Sequence, residues 1–440
     1  MNRFQAPSDR LPRESVDNQL KYPAYFPPVP RDLDELKVPH SLLTDVMLRH
    51  LRTYGVSSFR SLAGLMKVSS SIIQTLFEHL RKQQLVEVKG TTGLDYSFGL
   101  TEAGRNLAAE RSEISRYTGP APVSLEEYLR AVRAQVAKVK VNRSELRAAL
   151  ADLVVSDSLL DQLGPALVSQ RSLFLYGPTG NGKSSYSERL VRIYQDSVVV
   201  PYAIEVDGQI MTVYDPVVHH ALPMRNQVFD TRWVVCRRPC ITTGGELVSN
   251  MLDLRFDDTS GTYVAPLQVK ANNGVFIIDD FGRQVISPRE LLNRWMAPLD
   301  RRVDYLSLSY GMKFEVPFEM LVVFSTNLSP DELADEAFLR RIPNKVYVGD
   351  VDDETFDVIF EREAMKQEIP RQPDGAEQLR QLCKLHGGEQ LRACYPADIC
   401  RILHWISEYE ERPIEAGNID FERAVTLYFA RSSRTRLHES

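Results

Sequence analysis

Apolar positions along the chain recur first at helical spacing, then in short strand-like runs, then at helical spacing again. Residues 1–30 stand outside this pattern. Pro7, Pro12, Pro23, Pro27, Pro28 and Pro30 punctuate a stretch of little periodicity, which predicts a flexible tail. Leu42, Leu43, Val46, Met47 and Leu51 share one face of a helix over Ser41–Tyr54 that stops at Gly55. Two more helices are predicted over Ser58–Met66 and Ser69–Gln84, then a hairpin of Leu85–Val88 and Tyr96–Leu100 around a turn at Gly90–Gly93. Gly119-Pro120-Ala121-Pro122 has linker composition, and Leu125–Val141 and Ser144–Val155 read as helices in a connecting region, 118–160.

Three helices followed by a hairpin is the order of a winged helix-turn-helix, which this reading assigns to residues 31–117. Over residues 161–349 the fold class becomes α/β. Leu173–Tyr176, Val275–Ile278, Leu321–Phe324 and Lys345–Val348 suit strands of a buried parallel sheet. Two hairpins are predicted between them, one turning at Asp207-Gly208 and one at Ser309–Met312. Ser287-Pro288-Arg289-Glu290 has the form of a capping box opening a helix whose Trp295 is expected in the core. Asp353–Gln367, Ala376–His386, Pro396–Tyr409 and Phe421–Arg431 read as helices of a lid, 350–440.

Composition changes this picture little. The 440 residues carry a formal charge of −6, so attraction to nucleic acid has to come from a local patch. No apolar run reaches membrane length and the first thirty residues are unlike a signal, so a cytoplasmic protein with no membrane partner is expected. Five scattered cysteines suit a reducing compartment, and His219, His220, Cys236 and Cys240 have poor spacing for a metal.

The candidate chemistry is concentrated in the α/β stretch. Gly177, Gly180, Gly182, Lys183 and Ser184 fit G-x-x-x-x-G-K-[ST] without a gap. In such a loop the backbone N–H groups of Gly177, Pro178, Thr179, Gly180, Asn181, Gly182, Lys183, Ser184 and Ser185, proline excepted, can line an anion cradle. Lys183 would reach the β- and γ-phosphates of ATP, and Ser184 would ligate Mg²⁺. The strand Val275–Ile278 ends in Asp279, a candidate second Mg²⁺ ligand, and Asp280, a candidate for polarising water. Asn327 ends a third strand and could hydrogen-bond the γ-phosphate or its water. Arg340 and Arg341 precede the last strand as candidate transition-state cations.

In this order the motifs resemble those of the AAA+ ATPases, a likeness covering residues 150–440. It implies a three-layer P-loop domain with a helical lid, ATP hydrolysis with Mg²⁺, Asn327 in the place of sensor 1, and assembly into a ring, most often a hexamer. Arg341 is the preferred finger, acting on a neighbouring subunit, with Arg340 beside it. The two hairpins, with an insertion read over Thr242–Leu247, Met251–Phe256 and an extended then helical Gly261–Val269 in the helix before the acid strand, resemble the clade of MoxR-type chaperones, magnesium chelatases and NtrC-type activators. That clade implies client contacts at Gly244, Gly245, Glu246, Tyr310 and Gly311. The family usually carries Glu where Asp280 stands, which implies slow hydrolysis. Its lid arginine has two candidates here, Arg392 and Arg401. Asn344-Lys345-Val346-Tyr347 fails the guanine pattern, so adenine is favoured.

The expectation is an ATP-driven ring that remodels a protein client. The alternative is a DNA-binding, ATP-switched regulator. In residues 41–100 basic side chains outnumber acidic ones between Arg49 and Lys89, and Ser69, Ser70, Ser71, Gln74, Arg81 and Lys82 would face a major groove.

Overall fold

The computed structural model describes residues 21–429 apart from 93–94, 138–140, 225–226, 334, 371 and 416. The expected tail before Lys21, the tip of the first hairpin and the residues after 429 therefore lie outside the described residues. From Lys21 onward the chain is packed, not loose: the Lys21 N–H donates to the Gln195 carbonyl at 2.8 Å, and Tyr25 and Phe26 join an apolar cluster further along. Prolines exclude a helix here, but the aromatic pair gives the segment something to bury.

The first module contains α1 (His40–Tyr54), β1 (Ser57–Ser58), α2 (Phe59–Met66), α3 (Ser70–Lys82), β2 (Val86–Thr92), β3 (Asp95–Leu100) and α4 (Glu102–Ile114). Ser58 and Ser69 cap α2 and α3 by accepting from the Ser61 and Ile72 amides. The strands form an antiparallel sheet in the order β1-β3-β2, and the Phe77 ring packs at a tilt of 54° against Phe98 with ring centres 4.6 Å apart. The expected turn at Gly90 is instead an irregularity inside β2, where the register shifts between Val88 and Gly90. A glycine in a strand marks a bulge as readily as a turn.

The expected linker is also built into the body. Ala121 is fully buried, and its N–H donates to the Met66 carbonyl at 2.8 Å. Arg232, paired with Asp230 at 2.7 Å in the interior, donates to the Pro122 carbonyl at 2.9 Å. Next come β4 (Val123–Ser124), α5 (Leu125–Ala134), α6 (Arg143–Ala149) and α7 (Asp157–Val168). The helix expected to reach Val141 stops early, at the buried Gln135. Its side-chain amide exchanges two hydrogen bonds with Val199, at 2.6 and 3.2 Å.

The central region runs β5 (Leu173–Tyr176), α8 (Lys183–Arg189), β6 (Ser197–Pro201), β7 (Ala203–Val206), β8 (Gln209–Thr212), β9 (Trp233–Arg237), β10 (Cys240–Thr243), β11 (Arg255–Asp257), β12 (Thr262–Val264), α9 (Leu267–Lys270) and β13 (Val275–Ile278). It continues through α10 (Pro288–Arg301), β14 (Val303–Ser307), β15 (Lys313–Pro317), β16 (Leu321–Thr326), α11 (Pro330–Leu333), α12 (Glu336–Leu339) and β17 (Asn344–Tyr347). Five strands form an all-parallel sheet in the order β10-β13-β16-β5-β17. Alternate side chains feed two cores. Leu173, Leu175 and Ile277 pack with α6, α7 and α8, whereas Phe174, Phe276 and Phe324 pack with α10 and its fully buried Trp295. The domain is thus three-layered α/β, built on the buried parallel sheet that its apolar runs predict.

A second, mixed sheet has the order β11-β12-β8-β7-β4, with β6-β9 and β14-β15 as separate ribbons. Ala203 and Ile210 of this sheet belong to the same apolar cluster as α1 and α3, so the first module is joined to it by continuous packing. Of the insertion expected over Thr242–Val269, the later part is as read, extended in β12 and helical in α9 just before β13, whereas Thr242–Leu247 holds no helix. Thr242 and Thr243 pair with Ile277 and Ile278 as the end of β10, because β-branched residues suit a strand, and Gly244–Leu247 turns the chain there. The lid consists of α13 (Asp353–Lys366), α14 (Gly375–Gly387), α15 (Tyr395–Tyr409) and α16 (Asn418–Tyr428). Phe356, Leu379, Ile399 and Phe421 are fully buried in its own core. Among the described residues no helix is long and apolar enough to cross a membrane.

Candidate nucleotide-binding site

Strand β5 has β16 on one side and β17 on the other, so the chain changes direction across it. In an open α/β sheet such a switch point leaves a crevice at the carboxyl ends of the strands. The loop 177–182 fills that position. Gly177, Gly180 and Gly182 have φ of 138°, 87° and 83°, a region that disfavours side chains. A Cβ at Gly177 would also stand 2.3 Å from the Val348 carbonyl oxygen. The Lys183 ammonium is buried and donates to the Gly177 and Pro178 carbonyls, both at 2.8 Å. Burial lowers its pKa from the ordinary lysine value, and the nearby Asp280 and Asp279 carboxylates oppose that shift.

The acid loop is held by a residue that motif reading misses. Gln284 donates from Nε2 to the Asp279 and Asp280 carbonyls at 2.8 and 3.1 Å, while its Oε1 accepts from the Gly282 N–H at 2.8 Å. Asp280 itself sits at φ 49°, and its side chain is exposed. The Phe281 N–H donates to the Ser325 carbonyl at 2.7 Å and the Thr326 hydroxyl donates to the Phe281 carbonyl at 2.7 Å. The acid loop and the end of β16 therefore move as one piece. Gln284→Ala should lower stability by about 1–3 kcal/mol through the unpaired groups it leaves. A thermal melt checks this, and turnover should fall more through kcat than through KM, since the acid is misplaced and the loop is not.

A cavity of about 430 Å³ gathers these parts. Thr179, Gly180, Asn181, Gly182, Lys183, Ser184 and Ser185 line it with Asp280 and Ser325, and the lid contributes Ile359, Arg362, Glu363, Ala393, Cys394 and Ala397. Gly177 and Pro178 lie behind Lys183, Asp279 is half-buried at the end of β13, and Asn327 follows β16 by one residue. Asp279, Asn327, Arg340 and Arg341 are not among the residues lining the cavity; the first two directly follow strands β13 and β16, whose ends border it, whereas the arginines follow α12. Arg340 is 77% exposed and pairs with Glu336 at 3.3 Å, whereas Arg341 is partly covered and its carbonyl accepts from the Ser172 hydroxyl at 3.0 Å. Arg340 is thus the more outward of the two arginines. Of the two lid arginines, Arg392 donates to the Thr179 hydroxyl at 3.0 Å, while Arg401 pairs with Asp398 at 3.4 Å on α15.

Ser184 and Asp279, the residues the sequence offers for Mg²⁺, carry hard oxygens of the kind that ion takes; Ser184 lines the cavity and Asp279 is not among its lining residues. His219 is engaged elsewhere, accepting from the Asp215 N–H at 2.9 Å and meeting the Lys270 carbonyl at 2.9 Å. Among the described residues no group of three or more His, Cys, Asp or Glu could hold a metal. The two hairpins are joined at their tips, where the Tyr310 hydroxyl donates to Asp207 at 2.6 Å. Gly244 and Gly245 are tied elsewhere: the Gly245 carbonyl accepts from Val285 of the acid loop at 3.1 Å.

Fold and site together define a three-layer α/β P-loop domain with a helical lid. Residues 352–427, within the lid, match a family described as a domain of unknown function (DUF8689). No curated protein is significantly similar to the chain. Among solved structures, NtrX from Brucella abortus is 14% identical with a TM-score of 0.41, over 74% of this chain and 72% of that one. The RuvB A156S mutant from Thermotoga maritima is 12% identical with a TM-score of 0.40, over 64% and 73%. The Thermotoga maritima RuvB Holliday junction branch migration motor is 13% identical with a TM-score of 0.39, over 64% and 73%. At these scores the likenesses carry no argument, and the architecture rests on the strands and loops described above.

Proposed function

We propose that the chain is an AAA+-type ATP hydrolase that works as a ring and remodels a protein client. One observation carries the reading: a single cavity is lined by the phosphate loop, Lys183, Asp280 and the lid. In this reading Lys183 leaves the two loop carbonyls and donates to the β- and γ-phosphates of ATP, while the loop amides hold the oxygens between them. Mg²⁺, held by Ser184 and Asp279, would neutralise phosphate charge. Asp280 accepts a hydrogen bond from the attacking water and polarises it, and Asn327 orients that water or the γ-phosphate. That both arginines lie off the chain's own cavity fits a site completed by Arg340 or Arg341 of a second copy. The joined hairpins present exposed Tyr305 and Tyr310, and they are the proposed client contact in place of Gly244–Glu246.

A second reading has one observation in its favour. Ser70, Ser71, Gln74, Arg81 and Lys82 all lie on the exposed face of α3, as a DNA-reading helix requires. Asp280→Asn with ATP and Mg²⁺ separates the readings. Sizing in solution should give a ring of several copies that collapses without nucleotide and does not bind duplex DNA at low salt. A monomer in every state removes the ring, and salt-sensitive DNA binding favours the regulator.

A further inference from the structure

Three consecutive residues of the phosphate loop are bonded to one turn of the lid. Thr179 accepts from Arg392 at 3.0 Å, the Gly180 carbonyl accepts from the Cys394 N–H at 2.9 Å, and Asn181 Oδ1 accepts from the Ala393 N–H at 3.1 Å. Asn181 does more than the other two. Its Nδ2 donates to Asp350 Oδ1 at 3.2 Å, and Asp350 lies on the segment that leaves β17 for the lid. The next residue, Val351, donates its N–H to the Leu391 carbonyl at 2.9 Å, so that segment and the lid turn are themselves joined. The Asn181 side chain is 2% exposed, with both ends of its amide bonded and neither bond made within its own loop.

An amide is well suited to this place. It offers a donor to a carboxylate and an acceptor to a backbone N–H on two separate atoms, where an ammonium only donates, a carboxylate only accepts and a hydroxyl must do both through one oxygen. With so little exposure, losing either partner leaves a buried polar atom unpaired, so loop, exit segment and lid turn favour one joint arrangement. We propose that Asn181 is the positioning residue that couples the phosphate loop to the lid, so that a phosphate held by the loop sets the lid turn and the lid turn in return sets the affinity of the loop. The proposal rests on the nucleotide reading above, and reciprocity follows because a coupling free energy acts equally on both sites.

The test uses the full chain and two substitutions. Asn181→Asp keeps an acceptor for the Ala393 N–H but removes the donor and sets a second carboxylate against Asp350. Asp350→Asn, added to it, restores a donor on the opposite side. Amide hydrogen exchange of Ala393 and Cys394 is measured without nucleotide and with a non-hydrolysable ATP analogue, beside its equilibrium binding. Without nucleotide, Asn181→Asp should speed exchange at Ala393 severalfold and the double variant should return it to the wild-type rate. With the analogue, Asn181→Asp should bind about tenfold more weakly and lose nucleotide-dependent protection of the lid turn, and the double variant should regain both. Wild-type exchange in Asn181→Asp, or a double variant no better than the single one, would overturn the coupling. A wild-type chain that binds no analogue, while Ala393 still responds to the substitutions, overturns the nucleotide reading and leaves Asn181 as a structural clamp only. The two failures are therefore distinguishable.

Discussion

Replacing Lys183 with alanine should reduce ATP turnover by roughly 10²–10³-fold, the effect of removing one pre-positioned donor from a charged transition state. The ammonium is buried beside the cavity, donating to the carbonyls of Gly177 and Pro178, acceptors it exchanges for phosphate oxygens when ATP binds. Its desolvation is therefore met when the protein folds and is not repeated when ATP binds, so its charge acts at nearly full strength on the developing phosphoryl. Lys183→Arg should be almost as damaging, because a planar guanidinium cannot fit between two carbonyls that a compact ammonium reaches together. Steady-state phosphate release on folded variants, checked by circular dichroism, measures both. Turnover unchanged in Lys183→Ala would remove the enzyme reading.

The phosphate loop was legible in the sequence because its residue types are forced. Gly177 cannot carry a side chain beside the Val348 carbonyl, and Lys183 is the one side chain there that can reach phosphate as a point charge. The strands behind it were legible because burial on two faces demands unbroken apolar runs, as in Val275–Ile278. Of the second sheet only the β7-β8 hairpin was. Val123 pairs with Ile204 and Met211 with Tyr263, contacts between distant segments that leave no local period. Gly90 and the stretch Gly119–Pro122 mislead for a related reason. Glycine and proline report what the backbone can do, and a bulge or a buried extended segment uses the same freedom as a turn or a linker. Gln284 escapes motif reading, and Asn181 was read only for its backbone N–H, because the partners that define their side chains are mostly backbone groups, which have no signature of their own.

The second large effect is expected at Arg340. Its side chain is 77% exposed, reaches solvent past the end of α12, and has only a surface ion pair with Glu336, worth little on its own. A cation in that position loses little on leaving Glu336 for a phosphate on another copy, whereas Arg341 is partly covered by its own domain. If Arg340 completes a neighbour's site, Arg340→Ala should lower turnover by about 10³-fold or more while leaving ATP affinity nearly intact, since a finger acts on the transferring phosphoryl and not on the bound ground state. Arg341→Ala should then be the milder change, and the reverse order would return the finger to Arg341. Mixing gives the decisive comparison. Lys183→Ala supplies intact fingers and Arg340→Ala supplies intact phosphate loops, so co-assembled copies should recover turnover that neither variant has alone. Two inactive variants that stay inactive when mixed, in rings confirmed to contain both, would mean that each copy completes its own site and that the ring, if it forms, does not share its chemistry between neighbours.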